Sequence, residues 1–162
     1  MSQFTITSIR ERLLLQQFED KQKDFTIIYT TPVTGYSSFD AIIYSANTWY
    51  KVEVKVRDKY PLARYNDWLI EKPKYDTLTA STFQTLYINI HSDGVQVWTI
   101  KQATEPNWIY EYNPKTTQGD NRTVSKCNGY LSQFEASIYK SEYNLNQTLQ
   151  QAENIFKNNL TF

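Results

Sequence analysis

Residues 50–57 alternate in a way that only a strand uses. Lys51, Glu53, Lys55 and Arg57 fall on one face, and Tyr50, Val52, Val54 and Val56 on the other, because successive strand side chains point to opposite sides. An acid and a lysine two residues apart on one face are parts of a phosphoryl-hydrolysing site. Carboxylate oxygens suit a hard cation such as Mg²⁺ or Mn²⁺, and an ammonium can orient water and steady charge on a reacting phosphate. A second carboxylate is within reach. If Ala46-Asn47 is a two-residue hairpin loop, Ser45 pairs with Thr48 and Asp40 falls opposite Glu53. If the loop is Asn47-Thr48, Asp40 faces Lys55 and lies diagonal to Glu53. Either register puts Asp40, Glu53 and Lys55 on one face; a three-residue loop sends Asp40 to the other. Opposed carboxylates repel, an arrangement that makes sense with a cation between them. The plain alternative is a solvated charged face.

The rest of the sequence narrows the chemistry. It has no glycine-rich phosphate loop and no dinucleotide fingerprint. Its one cysteine, Cys127, allows no intramolecular disulfide and no thiolate zinc site, and is expected to be a half-buried, inert thiol. Its one histidine, His91, stands before Ser92-Asp93-Gly94 and reads as a turn-stabilising residue rather than a catalytic base. Seventeen basic residues balance seventeen acidic ones, so no global field draws the chain to nucleic acid or anionic membrane. Locally the balance differs: residues 51–75 hold seven basic against four acidic side chains, with Tyr60, Tyr65 and Trp68 interleaved, a pattern that can stack on bases as well as pack a core.

The elements that must position these residues read as follows. A helix starts at Thr7 or Ser8, with Glu11 at capping-box spacing from Ser8. Ile9, Leu13, Leu14 and Phe18 form its apolar face, and the charged run Asp20–Asp24 ends it. Strands are expected at 25–30, 39–45 and 49–57. From Pro61 to about Thr79 the pattern is helical, with Pro73 breaking, kinking or restarting it. Residues 83–90 and 95–100 form a hairpin around Ser92-Asp93-Gly94. Residues 104–130 are polar and irregular, with a short strand at 108–112; 134–139 reads as another strand, and Leu145–Leu160 is an amphipathic final helix. The fold class is α+β (mixed α/β). The chain lacks a signal-peptide pattern and any apolar run of bilayer length, so no membrane association and a cytoplasmic location are expected.

Asp40 followed by Glu53-Val54-Lys55 across a hairpin, within the order helix, three strands, helix, strand, resembles the PD-(D/E)xK nuclease superfamily over residues 8–90. The resemblance implies a restriction-endonuclease-like αβββαβ core, with a central mixed sheet flanked by helices. It implies Asp40 and Glu53 as metal ligands, with Lys55 assisting the attacking water. Phe39 stands where the motif's name has Pro, a position that varies in the superfamily. Many members carry a further acid on the first helix, and Glu11 has that placement as a third metal ligand. Glu71 and Tyr75 have the spacing of a polar residue and Tyr found after the motif in some members, although Gln is usual at the first position; Lys72 and Lys74 are expected to meet phosphate.

The expectation is one domain over residues 1–162, its nuclease-like core at about 8–100 and a family-specific extension at 101–162. The function expected is Mg²⁺-dependent (or Mn²⁺-dependent) hydrolysis of phosphodiester bonds, with DNA as partner. A homodimer is compatible with this, since nucleases that cut both strands often pair. The alternatives are a non-catalytic nucleic-acid- or protein-binding module on the same fold, and a structural protein.

Overall fold

A computed structural model describes residues 2–35, 37–115 and 122–159. In chain order it has α1 (Ser2–Lys21), β1 (Thr26–Thr30), β2 (Ala41–Ser45), β3 (Thr48–Val56), β4 (Asp67–Glu71), α2 (Lys72–Ala80), β5 (Gln84–His91), β6 (Gly94–Thr99), β7 (Ile109–Tyr112), β8 (Val124–Ser132), β9 (Ser137–Lys140) and α3 (Leu145–Lys157). Six strands form the central sheet in the order β1-β2-β3-β5-β6-β9. All neighbours are antiparallel except β3 and β5, which run parallel. The parallel pair needs a long crossover, and residues 57–83 supply it with β4 and α2. The fold is therefore mixed α+β, a mixed central sheet flanked by helices, consistent with a restriction-endonuclease-like core.

Each sheet face has its own core. Val52 and Val54 of β3, Leu86, Ile88 and Ile90 of β5, and Val95 and Val97 of β6 pack with Leu14, Leu15 and Phe18 of α1 and with Tyr143 and Leu145 at the head of α3. On the opposite face, Tyr87 and Trp98 meet Trp68 and Ile70 of β4, Tyr75 and Leu78 of α2, and Leu131 of β8. Those residues of β4 and β8 belong to a second sheet, ordered β4-β8-β7. The face that carries Glu53 and Lys55 is thus roofed by the second sheet and α2, and the site opens where that roof ends.

Several expectations need correction. The helix α1 starts at Ser2, so Ser8 lies in its interior and forms no capping box with Glu11; both side chains are buried. The β-branched Thr5-Ile6-Thr7 does not delay the start, because most helical stability in proteins comes from packing rather than propensity, and α1 packs along α3. The stretch 61–79 is not one helix. Asp67-Trp68-Leu69-Ile70-Glu71 is strand β4, with Trp68 and Ile70 buried and Asp67 and Glu71 exposed, a period of two that the surrounding apolar residues mask. Its partner, β8, lies some sixty residues on (Trp68 pairs with Leu131), beyond any local signal. Pro73 restarts the chain as a helix, sitting in the first turn of α2, where its missing N–H is not needed.

Other segments match with small shifts. The strand expected at 108–112 is β7, and 134–139 divides into a 3₁₀ turn at Gln133–Glu135 followed by β9. Asn144 caps α3 by accepting the Gln147 N–H at 3.0 Å; Leu160, the expected helix end, lies outside the described residues. Among the described residues no helix is long and apolar enough to cross a membrane. Beyond residue 101, β9 adds an edge strand to the central sheet, and α3 covers α1. His91 is fully buried at the end of the β5–β6 hairpin, where it pairs with Gly94. Its Nδ1–H donates to the Tyr60 carbonyl at 2.6 Å and so ties the 57–66 segment to the sheet. Burial lowers its pKa. Cys127 is free and half-buried.

The β2–β3 hairpin sets the register on which the site depends. Ser45 pairs with Thr48, and the pairing runs without a slip to Ala41 and Val52. Ala46 and Asn47 form the two-residue loop with φ of 49° and 61°, the left-handed pair that matches strand twist. Ala pays for that conformation and Gly does not. Ala46→Gly should therefore raise the unfolding free energy by about 0.5 kcal/mol, and Ala46→Val should lower it, since β-branched residues resist positive φ. Chemical denaturation of both variants measures this; a loss in Ala46→Gly would mean the loop conformation differs.

Candidate active site

Asp40 sits one residue before β2, where the regular pairing stops. Its N–H donates to the Val52 carbonyl at 2.7 Å, and its carboxylate Oδ2 accepts the Val54 N–H at 2.7 Å. The side chain thus takes the place of a backbone acceptor and clasps β3. The other oxygen, Oδ1, accepts from Arg12 Nη1 of α1 at 2.8 Å. The same guanidinium reaches Thr31 Oγ1 at 2.7 Å through Nη2, and the Thr31 hydroxyl donates to the Asp40 carbonyl. One charge-assisted network joins α1, the end of β1, the start of β2 and the middle of β3.

Glu53 is 7% exposed and takes an ion pair from Lys74 of α2, at 3.3 Å. Glu11 is buried on α1 near both acids. Burial raises the Glu11 carboxyl well above the usual range, and the charges of Asp40 and Glu53 raise it further. Burial and then the Asp40 charge push Glu53 up to about 7, against the pull of Lys74 and Lys55. Three acids therefore share one electrostatic environment at the β2–β3 junction. Lys55 lies two residues along the same strand face. Its ammonium has no ion pair among the described residues, and it lines a cavity of ≈ 90 Å³ with Arg57, Glu71, Lys74 and Tyr87. Burial also raises the Tyr87 phenol, leaving it neutral, with its hydroxyl donating to the Leu69 carbonyl at 3.3 Å.

The expected residues Glu11, Asp40, Glu53 and Lys55 come together, and Lys74 joins them as the partner of Glu53. Lys72 stands apart on the exposed side of α2, paired with Asp76 at 2.8 Å and over the Trp108 ring. Glu71 lines the Lys55 cavity, whereas Tyr75 turns inward to Trp108. Arg12 and Arg57 were not expected. Arg12 was legible only as a cation beside Glu11 on a helix that turned out to be buried. Arg57 lies on the Lys55 face of its strand and donates to the Leu69 carbonyl at 2.9 Å and to Asn89 Oδ1 at 3.2 Å.

Asp40, Glu53 and Glu11 are hard oxygen donors, the chemistry that Mg²⁺ or Mn²⁺ requires. As the side chains stand, Arg12 and Val54 hold Asp40, and Lys74 holds Glu53. Among the described residues no three acidic, imidazole or thiol side chains converge closely enough to enclose a metal ion. The donor types suit a divalent ion, but with Lys74 on Glu53 and Arg12 on Asp40 the arrangement is that of paired ions rather than a formed cation site.

No protein-family model and no curated protein matches the chain. Among solved structures it is similar to Hjc of Archaeoglobus fulgidus, a Holliday junction resolvase from an archaeal hyperthermophile. The TM-score is 0.43 and the identity 12%, over 72% of this chain and 86% of that one.

The raised Glu53 has a measurable consequence. A carboxyl whose folded pKa exceeds its unfolded value binds its proton more tightly in the fold. Its stabilising contribution is complete below the unfolded value of 4.5 and is lost as pH rises through about 7. Glu53→Gln keeps the neutral shape at every pH. Urea denaturation should find it more stable than wild type at pH 8 by about 3 kcal/mol, with the gap closing toward pH 5. A gap independent of pH would mean that Glu53 is not held against its charge.

Proposed function

We propose that the chain is a nuclease that hydrolyses phosphodiester bonds in DNA. The observation that carries this reading is the convergence of Asp40 and Glu53 at one hairpin junction, with Lys55, which makes no ion pair among the described residues, two residues along β3 from Glu53. Such a concentration of like charge is costly for folding, and clusters of this kind recur where a cation and a phosphate are bound. A divalent ion held by Asp40 and Glu53, with Glu11 behind them, would supply Lewis-acid polarisation of the phosphate and of a water.

This chain's own groups have distinct tasks. The Val54 N–H and Arg12 fix both oxygens of Asp40, so that carboxylate is preorganised before substrate arrives. Lys55, which makes no ion pair among the described residues, holds the attacking water and offsets the charge that grows on the phosphate oxygens. Lys74 neutralises Glu53 at rest; released from it, its ammonium faces the same cavity as Lys55 and can take a phosphate oxygen. Arg57 lines that cavity beside them. The second sheet and α2 roof this face of the central sheet and lower the local dielectric, which strengthens each of these interactions.

A second reading rests on a specific observation. Both acids are already neutralised internally, Asp40 by Arg12 and Glu53 by Lys74. A module that binds nucleic acid or protein without cutting would have that self-compensated pair as a structural clasp.

Cleavage separates the two. Plasmid, single-stranded and four-way-junction DNA are incubated with Mg²⁺ or Mn²⁺ and with wild type, Asp40→Asn and Lys55→Ala proteins purified in parallel. The nuclease reading expects wild-type cutting that stops on chelation and falls a hundredfold or more in Lys55→Ala, with that variant's melting temperature preserved. DNA binding without metal-dependent cutting would support the module instead.

A further inference from the structure

Beside the Lys55 cavity, and sharing Arg57 and Leu69 with it, lies a second pocket of ≈ 370 Å³ walled by Tyr60, Tyr65, Trp68 and Tyr130. We propose that this pocket receives one unstacked nucleobase of the substrate, so that the enzyme acts on DNA that offers an unpaired base near the scissile phosphate. The proposal rests on the nucleic-acid reading above and adds the substrate class.

Four observations support it. The volume falls in the roughly 300–1,000 Å³ range of small-ligand pockets. Its aromatic walls are open to solvent at Tyr60, Tyr65 and Tyr130, each about two-fifths to a half exposed, so their faces are within reach of a base that stacks on them. Trp68 closes it from below, 3% exposed, and its indole N–H has no acceptor among the described residues. The polar groups are of both kinds: Arg57 is a donor and Asp67 an acceptor. An acidic side chain at the rim repels a phosphate but accepts from the amino group of a base, so the chemistry selects a base rather than a backbone.

The pocket is also held in shape. Tyr60, Tyr65 and Trp68 touch pairwise with ring centroids 5.3–6.4 Å apart. Trp68 meets the His91 ring edge-on at 4.6 Å. The segment that carries Tyr60 and Tyr65 is tied to the β5–β6 hairpin by the His91–Tyr60 bond and by the Leu62 N–H donating to Asp93 Oδ1 at 3.0 Å. Arg64 lies over the Tyr65 ring at 5.3 Å. Preorganised aromatic walls reduce the entropic cost of seating a planar ligand. Arg57 links the two pockets: a base in one leaves its own phosphate within the reach of the cation that lines the other.

The test measures binding by fluorescence anisotropy, in EDTA so that no strand is cut. The probes are a fluorescein-labelled mixed-sequence single strand and its fully paired duplex. Wild type, Tyr65→Ala and Tyr65→Phe are compared, with melting temperatures measured in parallel. Tyr65→Ala should weaken single-strand binding about tenfold and change duplex binding by less than about twofold. Tyr65→Phe, which keeps the ring, should bind as wild type does. An equal loss on both probes, or no loss on either, would overturn the base pocket while leaving the nucleic-acid reading intact. Failure of wild type to bind either probe would overturn both.

Discussion

The structure around the candidate site depends on one carboxylate. Asp40 ends a strand, accepts the Val54 N–H and pairs with Arg12. Through these bonds it locks the β2–β3 junction, anchors the middle of α1 over the sheet edge, and fixes where Glu11 and Glu53 lie relative to each other. A buried ion pair of this kind adds little net stability over an apolar replacement, but breaking it from one side is costly. Its value lies in specification. It selects one arrangement of helix, hairpin and central strand, and that arrangement places three acids together.

Bringing three acids together requires compensation, and the chain supplies it from two directions. Arg12 approaches from the helix side of the sheet, and Lys74 from α2 on the other. What remains uncompensated appears as the upward shifts of Glu11 and Glu53. Lys55, two residues from Glu53, makes no ion pair among the described residues, though its charge acts on Glu53 and Glu11. The crossover between the parallel strands does the remaining positioning: β4 and α2 roof the Glu53 face, deliver Lys74, and carry the aromatic segment that walls the neighbouring pocket.

The strand alternation from Lys51 to Arg57 and the short Ala46-Asn47 loop made the hairpin register legible from the sequence, and with it the approach of Asp40 to Glu53 across the hairpin. The parallel β3–β5 pairing was implied only through the order of elements. Three features were not legible, each because a distant partner decides it. The strand β4 exists because β8 pairs with it across the second sheet, and alone its apolar residues fit a helix as well. Arg12 looks like any helix cation until the clasp on Asp40 is seen. Lys74 was expected to face a phosphate; its partner at rest is Glu53, a contact made when Pro73 restarts the chain as α2 beside β4 and β8.

Diffraction from crystals soaked in Mn²⁺, with anomalous scattering to locate the ion, tests the central claim most directly. The account predicts a peak at coordination distance from Asp40 and Glu53, with the Lys74 ammonium withdrawn from Glu53 and the Arg12–Asp40 pair kept. Crystals at saturating Mn²⁺ with no peak at the hairpin junction and Lys74 still on Glu53 would contradict it, and the acids would then be a structural clasp alone.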